Sequence, residues 1–174
     1  AGSMARCACH LYWFRKALRT HDNPSLEVMT SDSDCSVCDR GTFCPVASVA
    51  PTNCSAGTYN NETRQGECAK CAPGTFQDTE GATACSACVA GSFCAEGASA
   101  PLPCPSGSYS SGTDLWHADN CTACGVGQFC FAGAVAPTDC SPGTHAPNAS
   151  SPLCIACPAG TYQPSAGQSA CLDC

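Results

Sequence analysis

Cys154-Ile-Ala-Cys157-Pro-Ala-Gly-Thr-Tyr162-Gln-Pro-Ser-Ala-Gly-Gln-Ser-Ala-Cys171-Leu-Asp-Cys174 holds two Cys-x-x-Cys pairs around one Gly-Thr-Tyr run. The arrangement recurs upstream, where Cys68-Ala-Lys-Cys71-Ala-Pro-Gly-Thr-Phe76 leads to Cys85 and Cys88. Six such pairs punctuate the chain, at Cys35/Cys38, Cys68/Cys71, Cys85/Cys88, Cys121/Cys124, Cys154/Cys157 and Cys171/Cys174. Their steps are 33, 17, 36, 33 and 17 residues. A fixed period of this kind marks a repeat array in which each unit leans on its neighbours.

Two units alternate. The short one is Cys-x2-Cys-x2-Gly-Thr-[Phe/Tyr]-x8-Cys, at Cys68 and Cys154; the long one is Cys-x2-Cys-x5-Cys-x9-Cys, at Cys35, Cys85 and Cys121. The middle of the long unit recurs closely, Gly91-Ser-Phe-Cys94 paralleling Gly127-Gln-Phe-Cys130. This divides the chain into a non-repeat segment at 1–34, a long plus short repeat at 35–84, a long repeat at 85–120, and a long plus short repeat at 121–174. Glycines before the aromatic (Gly57, Gly74, Gly107, Gly143, Gly160) give the turn a position free of Cβ. The aromatics Tyr59, Phe76, Tyr109 and Tyr162 are expected to pack on disulfides, with His145 taking that place once.

Composition supports a covalent scaffold. Cysteine is 20 of 174 residues, while Leu, Ile, Val and Phe together number 16 from Cys35 onward. So few large apolar side chains cannot offset roughly 1–2 kcal/mol of backbone entropy per residue. Disulfides must replace the core, each loop of about 15 residues contributing roughly 3 kcal/mol in the chain-entropy model. The expected fold is a small, elongated disulfide-rich array of short β-hairpins and loops, with little regular structure and no large hydrophobic core. It calls for an oxidising compartment.

Charge narrows the partners. From Cys35 onward Arg40, Arg64 and Lys70 face ten acids, for a net charge of −7. Such a surface cannot neutralise a run of phosphates, so no nucleic-acid partner is expected. No run approaches the roughly 18 apolar residues of a membrane span, and a tether would have to come from sequence outside this chain.

The spacing suggests a pairing rule in which one cysteine of each pair closes a loop and the next opens another. It joins Cys54–Cys68, Cys71–Cys85, Cys104–Cys121, Cys140–Cys154 and Cys157–Cys171, with small loops at Cys38–Cys44, Cys88–Cys94 and Cys124–Cys130. Cys7, Cys9, Cys35 and Cys174 are then unpaired candidates, and the array reads as cut at both ends. Twenty cysteines allow other connectivities. Paired Cys-x2-Cys motifs are also a zinc signature, which Cys68/Cys71 with Cys85/Cys88 fits on spacing alone. The interposed cysteines and the lack of paired histidines favour bridges.

Cys157-Pro-Ala-Gly-Thr-Tyr162 through Cys171, with its flanking pairs, resembles the ephrin-receptor-like cysteine-rich repeat, a family EGF-like in size and akin to tumour necrosis factor receptor modules. The resemblance spans residues 35–174. It implies a non-enzymatic extracellular or cell-surface protein whose repeats act as a stalk, adhesion or receptor-type surface, with a protein or glycan partner. A second resemblance is confined to Leu11-Tyr-Trp-Phe-Arg-Lys-Ala-Leu-Arg-Thr-His-Asp-Asn-Pro-Ser-Leu26, which is similar to the start of the photolyase/cryptochrome α/β domain. One strand without its parallel partners cannot form a sheet, so neither flavin binding nor DNA repair is expected.

No catalytic, cofactor or metal site is expected elsewhere. The four histidines (His10, His21, His117, His145) form no ligand spacing, and the acids are dispersed. Asn61-Glu-Thr and Asn148-Ala-Ser are glycosylation candidates; Asn53-Cys-Ser and Asn120-Cys-Thr are weaker, each with a bridged cysteine at the centre.

Overall fold

The computed structural model describes residues 37–45, 48 and 50–174. Segment 1–34, with the photolyase-like run, and the candidates Cys7, Cys9 and Cys35 lie outside them. Eight antiparallel hairpins follow one another, each built from two strands of two residues. β1 (Thr42–Phe43) pairs with β2 (Thr52–Asn53), and β3 (Thr58–Tyr59) with β4 (Ala69–Lys70). β5 (Thr75–Phe76) pairs with β6 (Ser86–Ala87), and β7 (Ser92–Phe93) with β8 (Leu102–Pro103). β9 (Ser108–Tyr109) pairs with β10 (Thr122–Ala123), and β11 (Gln128–Phe129) with β12 (Thr138–Asp139). β13 (Thr144–His145) and β14 (Ile155–Ala156) form the seventh, β15 (Thr161–Tyr162) and β16 (Leu172–Asp173) the eighth. There is no α-helix among the described residues; one 3-10 turn covers Ala118–Asn120.

One local rule produces all eight. Each first strand follows Cys-x-x-Gly, and each second strand is the pair of residues just before the next opening cysteine. The turn is closed by the i+3 amide: the Thr161 N–H donates to the Pro158 carbonyl at 3.0 Å, with Gly160 at φ 86° in the third position. A positive φ there is what glycine supplies without strain. The threonine adds a second bond to the same acceptor, Thr161 Oγ1 to the Pro158 carbonyl at 2.8 Å, and Thr42, Thr58, Thr75 and Thr144 do likewise. The long repeat of the sequence is therefore two of these hairpins in series, not a different element.

The described chain forms two compact units, one reaching to Cys71 and taking in Gln77–Cys85, the other comprising Ala72–Phe76 and Ser86–Cys174. Within each, consecutive hairpins are joined by the same backbone bond. The turn-glycine N–H of one hairpin donates to the carbonyl of the residue after the aromatic in the next. In the first unit these are Gly41 to Asn60 at 2.9 Å and Gly57 to Gln77 at 2.7 Å. In the second they are Gly74 to Cys94, Gly91 to Ser110, Gly107 to Cys130, Gly127 to Ala146 and Gly143 to Gln163, at 2.7–2.8 Å. A two-residue hairpin is not stable alone in water, so these inter-hairpin bonds are part of what makes each one persist.

The interior is cystine. The largest fully buried side chains are Cys38, Cys54, Cys71, Cys94, Cys104, Cys124, Cys130 and Cys140, with Ala134 and Ala146 beside them. No described aromatic is buried. Small disulfide-rich domains take this route when apolar area is too scarce for a core.

Candidate functional site

Sixteen described cysteines form eight disulfides. Three close tight rings, Cys38–Cys44, Cys88–Cys94 and Cys124–Cys130, with a sequence separation of 6. Four close loops with a separation of 14: Cys54–Cys68, Cys71–Cys85, Cys140–Cys154 and Cys157–Cys171. Cys104–Cys121 spans 17. Cα–Cα distances of 5.6–6.2 Å lie in the ordinary range for a bridge. Cys174 is exposed and free.

The residue after the aromatic decides how a hairpin closes its loop. Where it is cysteine (Cys44, Cys94, Cys130) it makes the tight ring. In the wider loops the position holds Asn60, Gln77, Ser110, Ala146 or Gln163, and all but Gln77 are buried. Three of these amides reach the carbonyl just before the closing cysteine: Asn60 Nδ2 to Glu67 O at 3.1 Å, Gln77 Nε2 to Ala84 O at 2.8 Å, and Gln163 Nε2 to Ala170 O at 2.7 Å. The bond holds the loop where the disulfide must form, so the polar side chain is satisfied as it is buried.

Two rings cap disulfides of the following hairpin. Tyr109 packs against Cys124, Cys130 and Ala134, and the His145 ring places Nδ1 3.2 Å from Cys171 Sγ. His145, Cys157 and Cys171 are the one group of three potential metal ligands among the described residues whose donor atoms lie within 4.8 Å of one another. Both sulfurs are tied in a disulfide. Zinc takes thiolates, so the bridged group offers a single conventional donor. The proposed Cys68/Cys71/Cys85/Cys88 set is likewise divided among bridges to Cys54 and Cys94 and between Cys71 and Cys85.

The wider surface carries few candidates for chemistry. Asn61 and Asn148 are exposed in loops after their aromatic strands, whereas Asn53 lies in β2 and Asn120 in the 3-10 turn. The Cys104–Cys121 loop is the one that departs in length, and it holds Trp116, 54% exposed, with its ring 6.0 Å from that of His117. His117 in turn lies 3.2 Å from an Asp119 carboxylate, an exposed pair. A groove lined by Phe43, Thr52, Asn53, Ser55, Thr58, Glu67 and Cys68 contains one carboxylate and no base or nucleophile partnered to it. No helix among the described residues is long and apolar enough to cross a membrane.

No curated protein matches the chain. A family model does: the one described as tyrosine-protein kinase ephrin type A/B receptor-like matches residues 41–88, 57–101 and 143–174. Its matches begin at the first described hairpin and follow the same register of turn glycine, aromatic and opening cysteine. Together they cover more than half of the chain, which therefore belongs to the ephrin type A/B receptor-like cysteine-rich repeat family.

Proposed function

We propose that this chain is a non-enzymatic, extracellular or cell-surface repeat region that acts as a spacer or receptor-type interaction surface. The observation that carries the reading is the uniform joining of hairpins, one turn-glycine bond per step, over a cystine interior. Such a design spends its residues on holding a surface in place, and the described residues hold no buried constellation of acid, base and nucleophile. Abundant disulfides fit an oxidising compartment. In that compartment Asn61 and Asn148 are the sequons we expect to carry glycan, since both stand in exposed loops.

A dedicated binding module is the second reading, and one feature favours it. Trp116 stands exposed in the one lengthened loop. Exposed tryptophan is enriched where partners bind tightly. The test is display of the full chain on a secretory cell surface, with Trp116→Ala beside it. The spacer reading expects both to be exported and to bind cells equally. A loss of cell or glycan-array binding in Trp116→Ala at unchanged export would replace it with the binding-module reading, and retention of the parent chain as reduced aggregate would remove both.

A further inference from the structure

At the second strand position of the first strand, seven hairpins carry a benzene or phenol ring: Phe43, Tyr59, Phe76, Phe93, Tyr109, Phe129 and Tyr162. The seventh hairpin carries His145 instead. Where Tyr109 at this position packs against the Cys124–Cys130 bridge of the next hairpin, His145 sets a ring nitrogen against sulfur. Cys171 Sγ is bridged to Cys157 and has no proton. At 3.2 Å the contact thus requires Nδ1 of His145 to carry the hydrogen and donate it. Cys157 and Cys171 are both partly exposed, so a small thiol can reach the bridge.

We propose that Cys157–Cys171 is the exchange-reactive disulfide of this chain, a modification site for small thiols of the glutathione class, with His145 as the positioning residue that donates a hydrogen bond to its leaving sulfur. An incoming thiolate attacks Cys157 Sγ in line with the bridge, and a new sulfur–sulfur bond forms there as the Cys157–Cys171 bond breaks. The electron pair leaves on Cys171 Sγ, where the Nδ1–H of His145 is already directed. That N–H stabilises the departing thiolate by a hydrogen bond, and the thiolate takes its proton from solvent. The products are a mixed disulfide on Cys157 and a thiol on Cys171; a second thiol releases the oxidised small molecule and leaves Cys157 reduced. Exchange rates rise as the leaving thiolate is stabilised and with access to the attacked sulfur. His145 supplies the first, and the open position of the bridge supplies the second.

The experiment treats the oxidised full chain, carrying Cys7→Ser, Cys9→Ser, Cys35→Ser and Cys174→Ser so that no cysteine outside the eight bridges remains, with glutathione. Aliquots are alkylated and mapped by mass spectrometry. Cys157–Cys171 should open first, with the glutathione adduct on Cys157. In His145→Phe, which installs the ring that four other hairpins use, its opening should slow by about tenfold, while Cys140–Cys154 keeps its rate. Unchanged opening in His145→Phe would mean that exposure alone sets the order and would overturn the role of His145. An adduct chiefly on Cys171, or opening no faster than Cys140–Cys154 in the parent, would overturn the site itself. If His145→Phe loosens the whole chain, Cys140–Cys154 accelerates too, and His145→Tyr under the same treatment then decides between the same two outcomes.

Discussion

Glycine at the third position of each turn answers two demands of different range. The first is local, a positive φ that the turn requires. The second is distant: a Cβ on Gly127 would lie 2.1 Å from the carbonyl oxygen of Gly167, two hairpins further on, and one on Gly107 would lie 2.2 Å from that of Ser150. Gly160 has φ 86° but nothing within 4 Å of the same point. Comparing the two sites separates the demands. Gly160→Ala should cost about 1 kcal/mol, the left-handed strain alone, whereas Gly127→Ala should cost at least about 2 kcal/mol more because backbone must move. Urea unfolding of the oxidised chain, or local hydrogen exchange at residues 124–140 and 157–174, checks the difference; equal effects would sink the close-approach account. Sequence reading finds the turn glycines and explains them by the first demand only, because the second is imposed by residues about 40 positions away.

Elements this small persist through covalent closure. Four backbone residues cannot repay the entropy of ordering a loop around them. The Cys54–Cys68 bridge closes its loop with a separation of 14, and removing it as Cys54→Ala/Cys68→Ala should lower stability by about 3 kcal/mol. Hydrogen exchange should rise first in β3 and β4, at Thr58–Tyr59 and Ala69–Lys70, and leave β13 and β14 protected. Loss of protection throughout would mean that the hairpins are not the cooperative unit. Several features of this scale were open to reading beforehand: the register, short hairpins, turn glycines, and rings set on cystines, as Tyr109 is. Others were not. The two residues inside most Cys-x-x-Cys pairs look like a linker, yet they are the second strand, because the ladder partner lies 10–15 residues earlier. The threonine hydroxyl that doubles the turn bond and the amides of Asn60, Gln77 and Gln163 are equally silent in sequence, since their acceptors are brought near only by the closed loop.

For the molecule as a whole, sixteen cysteines in bridges predict a simple count. Under denaturing, non-reducing conditions about four or fewer of the 20 cysteines should react with a thiol reagent, and peptide mapping should link Cys71 to Cys85. Nearly complete reactivity would instead favour a metal-held array. The charge pattern acts at the same scale. Beyond Lys70 the chain has no Lys or Arg at all, while seven acids follow. An acidic surface of this kind attracts positive charge, an attraction that falls as salt rises.

The sequence by itself determined the class of this protein. Recurrent cysteines at fixed steps, a turn glycine before an aromatic and too little apolar area leave a disulfide-linked repeat as the one economical solution, and these are properties of composition and spacing. Tertiary structure alone decided what rests on what. It made eight equal hairpins of two apparent repeat types, set the turn glycines Gly41, Gly74, Gly91, Gly107 and Gly127 under backbone from further along the chain, and placed the imidazole of His145 on one disulfide. Those contacts join residues from different hairpins, and only their stacking brings such residues within bonding distance.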